Sequence, residues 1–222
     1  MSNSKLNRWA GLSTILAGAL FIFIQIIHPQ DELQAVSSSM WAIVHSLTVA
    51  MAVFGMLGIT GVYAKQVKAS GWLGLIGFIM LYLWLALTMN FTFIEAFILP
   101  PLVTQAPLYV EGILDFGNSQ VSLGALETIR PLSGPLYIFG GLIFGFATIR
   151  AGILPRWGAI LLAIGTTSAL LVPLLPHGWG RITVAPIGLG LIWLGYALWS
   201  ERVATATGET IDGNKLAESY QK

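Results

Sequence analysis

Two apolar stretches separated by a short polar turn decide the fold: WAIVHSLTVAMAVFGMLGITGVYA at residues 41–64 and WLGLIGFIMLYLWLALTMNFTFIEAFIL at residues 72–99. A helix of about 20 residues, rising 1.5 Å per residue, crosses the roughly 30 Å hydrocarbon layer of a membrane. In lipid, a helix satisfies all its backbone polar groups within one segment. The two stretches therefore predict a pair of membrane-spanning helices, joined by a turn that carries Lys65 and Lys68.

Four further apolar runs lie on either side of this pair. We predict an all-α, polytopic membrane protein with six transmembrane helices, at about residues 9–27, 41–64, 72–99, 132–149, 157–175 and 183–199. The composition agrees, because only 9% of residues are charged, against about 25% in soluble domains. The six spans would form one domain, 1–202, with a long outer loop at 100–131. The polar tail, 203–222, is expected to be disordered and cytoplasmic.

The basic residues predict the orientation of these spans. They collect at alternate ends, in four places: Lys5 with Arg8, Lys65 with Lys68, Arg150 with Arg156, and Arg202. Because cytoplasmic loops are enriched in Lys and Arg, these ends should face the cytoplasm. An even number of spans then leaves both termini inside.

The spans also fit three copies of one helical hairpin. The odd spans open near a tryptophan (Trp9, Trp72 and Trp157), and the even spans are rich in glycine. The alternative is that membrane helices in general share interfacial Trp and internal Gly. The spacing of Gly55, Gly58 and Gly61, and of Gly71, Gly74 and Gly77, predicts close packing of the second span against the third.

Charge and cysteine content exclude several classes of function. A formal net charge of +1 indicates no nucleic-acid partner, and the absence of cysteine excludes disulfides, thiolate metal sites and thiol nucleophiles. No Lys, Arg, Asp or Glu lies deep in a predicted span. Ion-coupled pumps and retinal proteins are therefore disfavoured, since they need ionisable groups near the midplane.

The ionisable residues of the spans instead lie at one depth in the membrane, which we call one level. Each lies about 20 residues, or about 30 Å, from the basic residue at the other end of its own span. Glu95 lies slightly further out. The residues at this level are His28, His45, Glu95, Arg130, His177 and Arg181. They should meet at the outer boundary of the membrane, although polar residues also collect there simply because water begins.

Three functions fit this layer. The leading one is a ligand-binding or regulatory membrane protein with an extracytoplasmic site, in which the arginines hold a lipid headgroup or a small anion. Its site residues are His45, Glu95, Arg130, His177 and Arg181, with Gln25 nearby on the first span. Beyond the lipid bilayer, the sequence identifies no protein partner.

The second function is a metal-dependent membrane enzyme. Three imidazoles and a carboxylate suit Zn²⁺, and the candidate ligands are His28, His45, His177 and Glu95. Two histidines can instead hold a haem axially. The third function is a small-molecule transporter with a neutral path past Gln25 and Asn90. The sequence leaves open whether the protein is an enzyme.

Three short motifs resemble those of uncharacterised bacterial six-helix membrane proteins of the domain-of-unknown-function type. They are FGFATIRAGILPRW at 144–157, WLGYALW at 193–199, and RWAG at 8–11. The resemblance covers most of the spans but consists of inner turns and packing glycines. It implies a location in the bacterial plasma membrane and carries no functional residue.

Overall fold

The computed structural model of the chain describes residues 3–115, 118–175 and 179–200, and every regular element in these ranges is helical. The helices are α1 (Asn3–Ile27), α2 (Leu33–Val36), α3 (Ser39–Phe93), α4 (Leu99–Leu102), α5 (Pro107–Leu114), α6 (Leu126–Ile129), α7 (Ser133–Ala151), α8 (Arg156–Thr167), α9 (Trp179–Thr183) and α10 (185–200). A π-helical turn, Ile94–Ile98, joins α3 to α4. Two 3₁₀ segments, Arg130–Leu132 and Ser168–Leu174, precede α7 and follow α8.

Four stretches are long and apolar enough to span a membrane: Lys5–Ile27, Ser39–Leu102, Leu126–Ala151 and Arg181–Ser200. They include the predicted spans 9–27, 41–64, 72–99, 132–149 and 183–199. The prediction of an all-α chain with several membrane-spanning helices is confirmed at this level. The chain is a candidate multi-pass membrane protein, and a lipid bilayer is its expected surroundings.

The longest of these stretches turns back on itself at Gly71. This glycine has φ 58° and ψ −151°, a backbone conformation that other residues avoid because of their Cβ. Beyond it the chain reverses, so that Gly55 lies against Leu85 and the rings of Tyr63 and Phe78 stack at 4.6 Å. We refer to 39–70 and 72–93 as the first and second arms of α3. The predicted polar turn is therefore helical almost throughout, with its break at one glycine.

Six helical elements form a ring in chain order: α1, the first and second arms of α3, α7, α8 and α10. Small residues mark each contact around the ring: Thr14 with Gly58, Gly55 with Leu85, Gly77 with Phe144, Gly145 with Ala159, Gly158 with Gly190, and Gly195 with Gly11. We name the end of the ring that carries Arg8, Gly71 and Arg150 the basic end. The opposite end, with His45 and Arg130, is the cap end.

The contacts of the glycines differ in part from the prediction. Gly55 and Gly74 do face the other arm of α3, but Gly58 and Gly61 face α1 and Gly77 faces α7. The sequence predicts that the second and third spans touch along one stripe of glycines. This prediction is wrong for most of the stripe. Spacing identifies the face that carries small residues, but it does not identify the neighbour that the face meets.

The predicted span 157–175 is the element that departs most from expectation. Its apolar helix, Arg156–Leu171, falls in the shorter class of 10–17 residues. The regular α-helix ends at Thr167, where the hydroxyls of Thr166, Thr167 and Ser168 all bond back to carbonyl oxygens three or four residues earlier. Such bonds compete with the helix and bend it. The chain continues as the 3₁₀ segment Ser168–Leu174.

The predicted outer loop, 100–131, folds into a cap over the ends of α3. Helix α3 extends through the π-helical turn into α4, and α5 and α6 lie within the predicted loop. A separate hydrophobic cluster holds the cap together, formed by Val36, Trp41, Leu99, Val110, Ile113 and Leu123. The predicted tail, 203–222, lies outside the described residues.

Candidate functional site

A cluster of ionisable side chains lies at the cap end, where the first arm of α3 begins and its second arm ends. His45 Nε2 lies 3.5 Å from Glu95 Oε2, and Arg130 Nη2 lies 3.6 Å from Glu95 Oε1. His45 is almost fully buried, at 3% exposure. Its Nδ1 lies 2.8 Å from the carbonyl oxygen of Trp41. A carbonyl cannot donate, so Nδ1 carries a proton and Nε2 faces the carboxyl group.

The position of Glu95 follows from the local sequence. In the π-helical turn the N–H of Leu99 donates to the carbonyl of Ile94, five residues earlier. The next such bond would join Pro100 to the carbonyl of Glu95, but proline has no N–H. The indole N–H of Trp41 donates to that carbonyl instead, at 2.7 Å. The fully buried Trp41 thereby fixes the backbone of Glu95. His45 lies one turn further along the same helix as Trp41, so the side chains of His45 and Glu95 are brought together.

The two arginines of the layer both bind backbone carbonyls near the ends of helices. Arg130 donates to the carbonyl oxygen of Ile113 near the end of α5. Arg181 donates to the carbonyl oxygens of His28 and, at 2.9 Å, Pro29, just beyond the end of α1. Carbonyls at these positions lack intrahelical partners, and the helix dipole favours a cation there. Each arginine thus has a structural role.

His28 and His45 do not form a metal or haem site with the other described residues. The rings of His28 and His45 touch edge to face, with centroids 5.2 Å apart. This leaves no space for a porphyrin between them. Within the described ranges, no group of three or more His, Asp or Glu side chains is arranged to hold a metal ion. His177, the remaining predicted ligand, lies outside those ranges.

A cavity of about 400 Å³ lies inside the ring below this cluster. Its walls come from α1, both arms of α3, α7 and the start of the span Arg181–Ser200. Most of the lining is apolar, from Phe21, Ile24, Met51, Trp84 and Val184. The polar side chains that reach it are Gln25, Thr48, Thr88, Ser133, Tyr137 and Arg181. Apolar walls with a few polar groups, in this range of volume, are typical of small-molecule sites.

Three of the polar groups in the cavity have no hydrogen-bond partner among the described residues. The structure gives no hydrogen bond to the side chains of Gln25, Thr88 or Tyr137 from any described residue. Tyr137 is 9% exposed. Polar groups in an apolar environment are unfavourable unless they are hydrogen-bonded. The cavity therefore presents donors and acceptors that no described residue satisfies and that water or a ligand can satisfy.

The cavity is closed towards the basic end. The rings of Phe21, Trp84 and Tyr137 contact one another in series, with centroids 6.5 Å and 4.7 Å apart. Beneath them the ring encloses a void of only about 20 Å³, which Ile59, Leu162 and Ile187 help to line. The described side chains thus separate the cavity from the basic end by an aromatic floor and a packed apolar layer.

The structure brings most of the predicted site residues together. His28, His45, Glu95 and Arg130 are contiguous, and Arg181 joins them through the carbonyl of His28. Gln25 points into the cavity below. Asn90 does not line it: this exposed side chain donates to the carbonyl of Ala86 on its own helix.

Sequence reasoning missed Thr48, Ser133 and Tyr137. A signal was present for Thr48: Gln25, Thr48 and Thr88 each lie about 17 residues, or about 25 Å, from the basic-end anchor of their own helix. They form a polar level just beneath the charged one.

No family model, no curated protein and no solved structure matches this chain. The resemblance to uncharacterised six-helix bacterial membrane proteins stays an expectation.

Proposed function

We propose that this chain is a six-helix plasma-membrane protein that binds a small molecule in the cavity at its cap end. The observation that carries the proposal is the cavity of about 400 Å³, whose walls combine apolar surface with polar side chains that have no partner among the described residues. Such a surface recognises a ligand that is partly apolar and partly hydrogen-bonding. The cluster of His45, Glu95 and Arg130 lies above the cavity and fixes its rim.

Six crossings account for the ring of helices. The two arms of α3 provide two, and α1, α7 and α10 provide three. The sixth is α8 with its 3₁₀ extension: twelve α-helical residues and seven 3₁₀ residues together reach about 32 Å, enough to cross the hydrocarbon layer. The basic end then faces the cytoplasm and the cap end faces outward.

The two other functions have less support. A metal-dependent enzyme needs a ligand set that the described residues do not provide. A transporter needs a path to both sides, and the packed layer beneath Trp84 closes this one towards the basic end. A binding or regulatory role requires neither.

The proposal can be tested by filling the cavity at Thr48. Thr48 and Thr60 lie on the same arm of α3, and each donates its hydroxyl to the carbonyl four residues earlier. They differ in surroundings, because Thr48 lines the cavity and Thr60 is exposed on the outside of the ring. Thr48→Phe should occupy the cavity, and Thr60→Phe is the matched control.

The measurement is mass spectrometry of small molecules that remain bound after purification in mild detergent. We expect one compound near stoichiometric amounts in the wild type and in Thr60→Phe, and at least about tenfold less in Thr48→Phe, which corresponds to about 1.4 kcal/mol of binding free energy. Equal retention by all three proteins, or no specific compound in the wild type, would contradict the proposal.

A further inference from the structure

We infer that the ligand is a single-chain amphiphile with an acidic head, and that it reaches the cavity sideways, past Gly134, from the outer half of the bilayer. This inference rests on the proposed function and adds to it the chemistry of the ligand and its route.

The first observation is an opening at Gly134. This residue lines the cavity, yet it is exposed on the surface of the protein. A Cβ built there would find no atom within 4 Å. The neighbouring Ser133 also lines the cavity and is half-buried. The wall of the cavity is therefore open at the first turn of α7.

The second observation explains why the ring is open on this side. At the basic end, α8 fills the space between α7 and α10, with Gly145 against Ala159 and Gly165 against Ile187. The regular helix ends at Thr167. Towards the cap end, α7 and the span Arg181–Ser200 line the cavity, whereas none of the described side chains between 156 and 175 does.

The depth of the opening points to lipid rather than to water. Gly134 precedes Arg150, at the basic end of the same helix, by about 16 residues, which corresponds to about 24 Å. The hydrocarbon layer is about 30 Å thick. The opening therefore lies several ångströms below the outer boundary, at the level where a lipid head meets its chain. Leu132, two residues before Gly134 in the chain, is an exposed apolar side chain.

The third observation is the charge of the cavity. Arg181 is the one charged side chain among the described residues that line it. The two hydrogen bonds to the carbonyls of His28 and Pro29 orient its guanidinium group and use two of its five N–H donors. The remaining donors suit a carboxylate or phosphate. The polar level of Gln25 and Thr88 supplies further hydrogen bonds beside it.

The fourth observation is the apolar depth below the arginine. Phe21, Met51 and Trp84 form the lower wall, about 10 Å nearer the basic end by helical rise. A volume of about 400 Å³ lies near the lower end of ordinary ligand cavities. It accommodates one chain of moderate length rather than both chains of a phospholipid. The geometry thus fits a head at Arg181 and a chain directed to the aromatic floor.

The test uses photolabelling in phosphatidylcholine nanodiscs. The probes are a twelve-carbon fatty acid that carries a diazirine and the alcohol with the same chain. Labelling is read by mass spectrometry on peptides that contain Phe21, Thr48 or Trp84. We expect the acid to label these peptides about tenfold more than the alcohol, as one charge-assisted hydrogen bond predicts. Arg181→Gln should bring this ratio close to one, whereas Arg181→Lys should keep most of it. Labelling by the alcohol, which lacks the acidic head, should stay the same in each variant and so shows that the variant is folded.

The route is tested at Gly134. Gly134→Trp should slow labelling by the acid at least about tenfold, while Gly134→Ala, which meets no neighbouring atom, should label like the wild type. An acid-to-alcohol ratio of one in the wild type would overturn the acidic head, and unchanged labelling of Gly134→Trp would overturn the lateral route. In either case the proposed function survives if Thr48→Phe, but not Thr60→Phe, abolishes labelling. It fails if Thr48→Phe labels like the wild type.

Discussion

The basic half and the cap half of this ring are built from different residues. In the basic half, glycines bring backbones into contact: a Cβ at Gly195 would lie 2.7 Å from the carbonyl oxygen of Gly11, and one at Gly190 would lie 2.7 Å from that of Gly158. In the cap half, the aromatic rings of Phe21 and Trp84 and a set of polar side chains hold the same helices around a cavity.

The difference shows how one set of helices makes both a seal and a site. Small residues are needed where helices must approach closely, since no hydrophobic force drives association in lipid. The void in that half is about 20 Å³, against about 400 Å³ in the cap half. The contrast predicts that substitutions in the basic half affect stability and that substitutions in the cavity affect binding.

The largest effect on stability should follow from Gly195→Ala. The added methyl group would collide with Gly11 O at 2.7 Å and Ile15 N at 2.8 Å. Backbone atoms cannot move aside like a flexible side chain, so we expect a loss of about 2 kcal/mol. Thermal unfolding in detergent measures it. Gly134→Ala, which adds the same methyl group in open space at the cap end, is the control. Equal melting temperatures for the two variants would refute the contrast.

A smaller loss is expected from Arg130→Met at the cap end. The substitution keeps an apolar stem but removes the ion pair with Glu95 and the hydrogen bond to the carbonyl of Ile113. Because both charged side chains are partly exposed, at 29% and 17%, we expect about 1–2 kcal/mol rather than the larger penalty of a fully buried pair. The same thermal assay applies. Arg156→Met, at an exposed position of the basic end, should change the melting temperature little. A loss of stability comparable to that of Arg130→Met would contradict this role for Arg130.

The smallest expected changes in stability come from one polar side chain in each half of the ring. Gln66 is fully buried in the basic half and donates to Thr148 Oγ1 at 2.7 Å, while its Oε1 has no partner among the described residues. Gln66→Ala removes this bond and leaves a void, so it should cost about 1–2 kcal/mol. Tyr137→Phe removes a cavity hydroxyl without a partner among the described residues, and stability should stay within about 0.5 kcal/mol. Chemical denaturation of both variants checks the pair. A larger loss of stability from the tyrosine substitution than from the glutamine substitution would show that the hydroxyl of Tyr137 makes a hydrogen bond that stabilises the fold.

The sequence predicts the spans well because hydropathy acts over whole helices. It also predicts the common level of His45, Glu95 and Arg130, since helical rise converts spacing into depth. The exact turn at Gly71 is harder to predict, because Lys65 and Lys68 suggest a polar loop where the helix in fact continues. The early end of α8 is signalled only by Thr166, Thr167 and Ser168.

The partners of the glycines and the cavity itself could not be predicted. Gly58 and Gly77 lie on the predicted small-residue faces, but which helix each face meets depends on the closure of the whole ring. Thr48 and Tyr137 line the cavity because side chains around them leave space unfilled. Such a space is a property of the assembled helices, and no local pattern of residues encodes it.

The most direct test is the accessibility of single cysteines, for which this cysteine-free chain is well suited. A small, membrane-permeant methanethiosulfonate reagent is added to intact cells that produce Thr48→Cys, Ile59→Cys or Thr60→Cys. We predict that Thr48→Cys in the cavity reacts, while Ile59→Cys in the sealed half and Thr60→Cys on the outside of the ring remain unmodified, because the reagent attacks a thiolate, which forms only in contact with water. Reaction of Ile59→Cys at the rate of Thr48→Cys, or an unreactive Thr48→Cys, would contradict a hydrated cavity above a closed basic half.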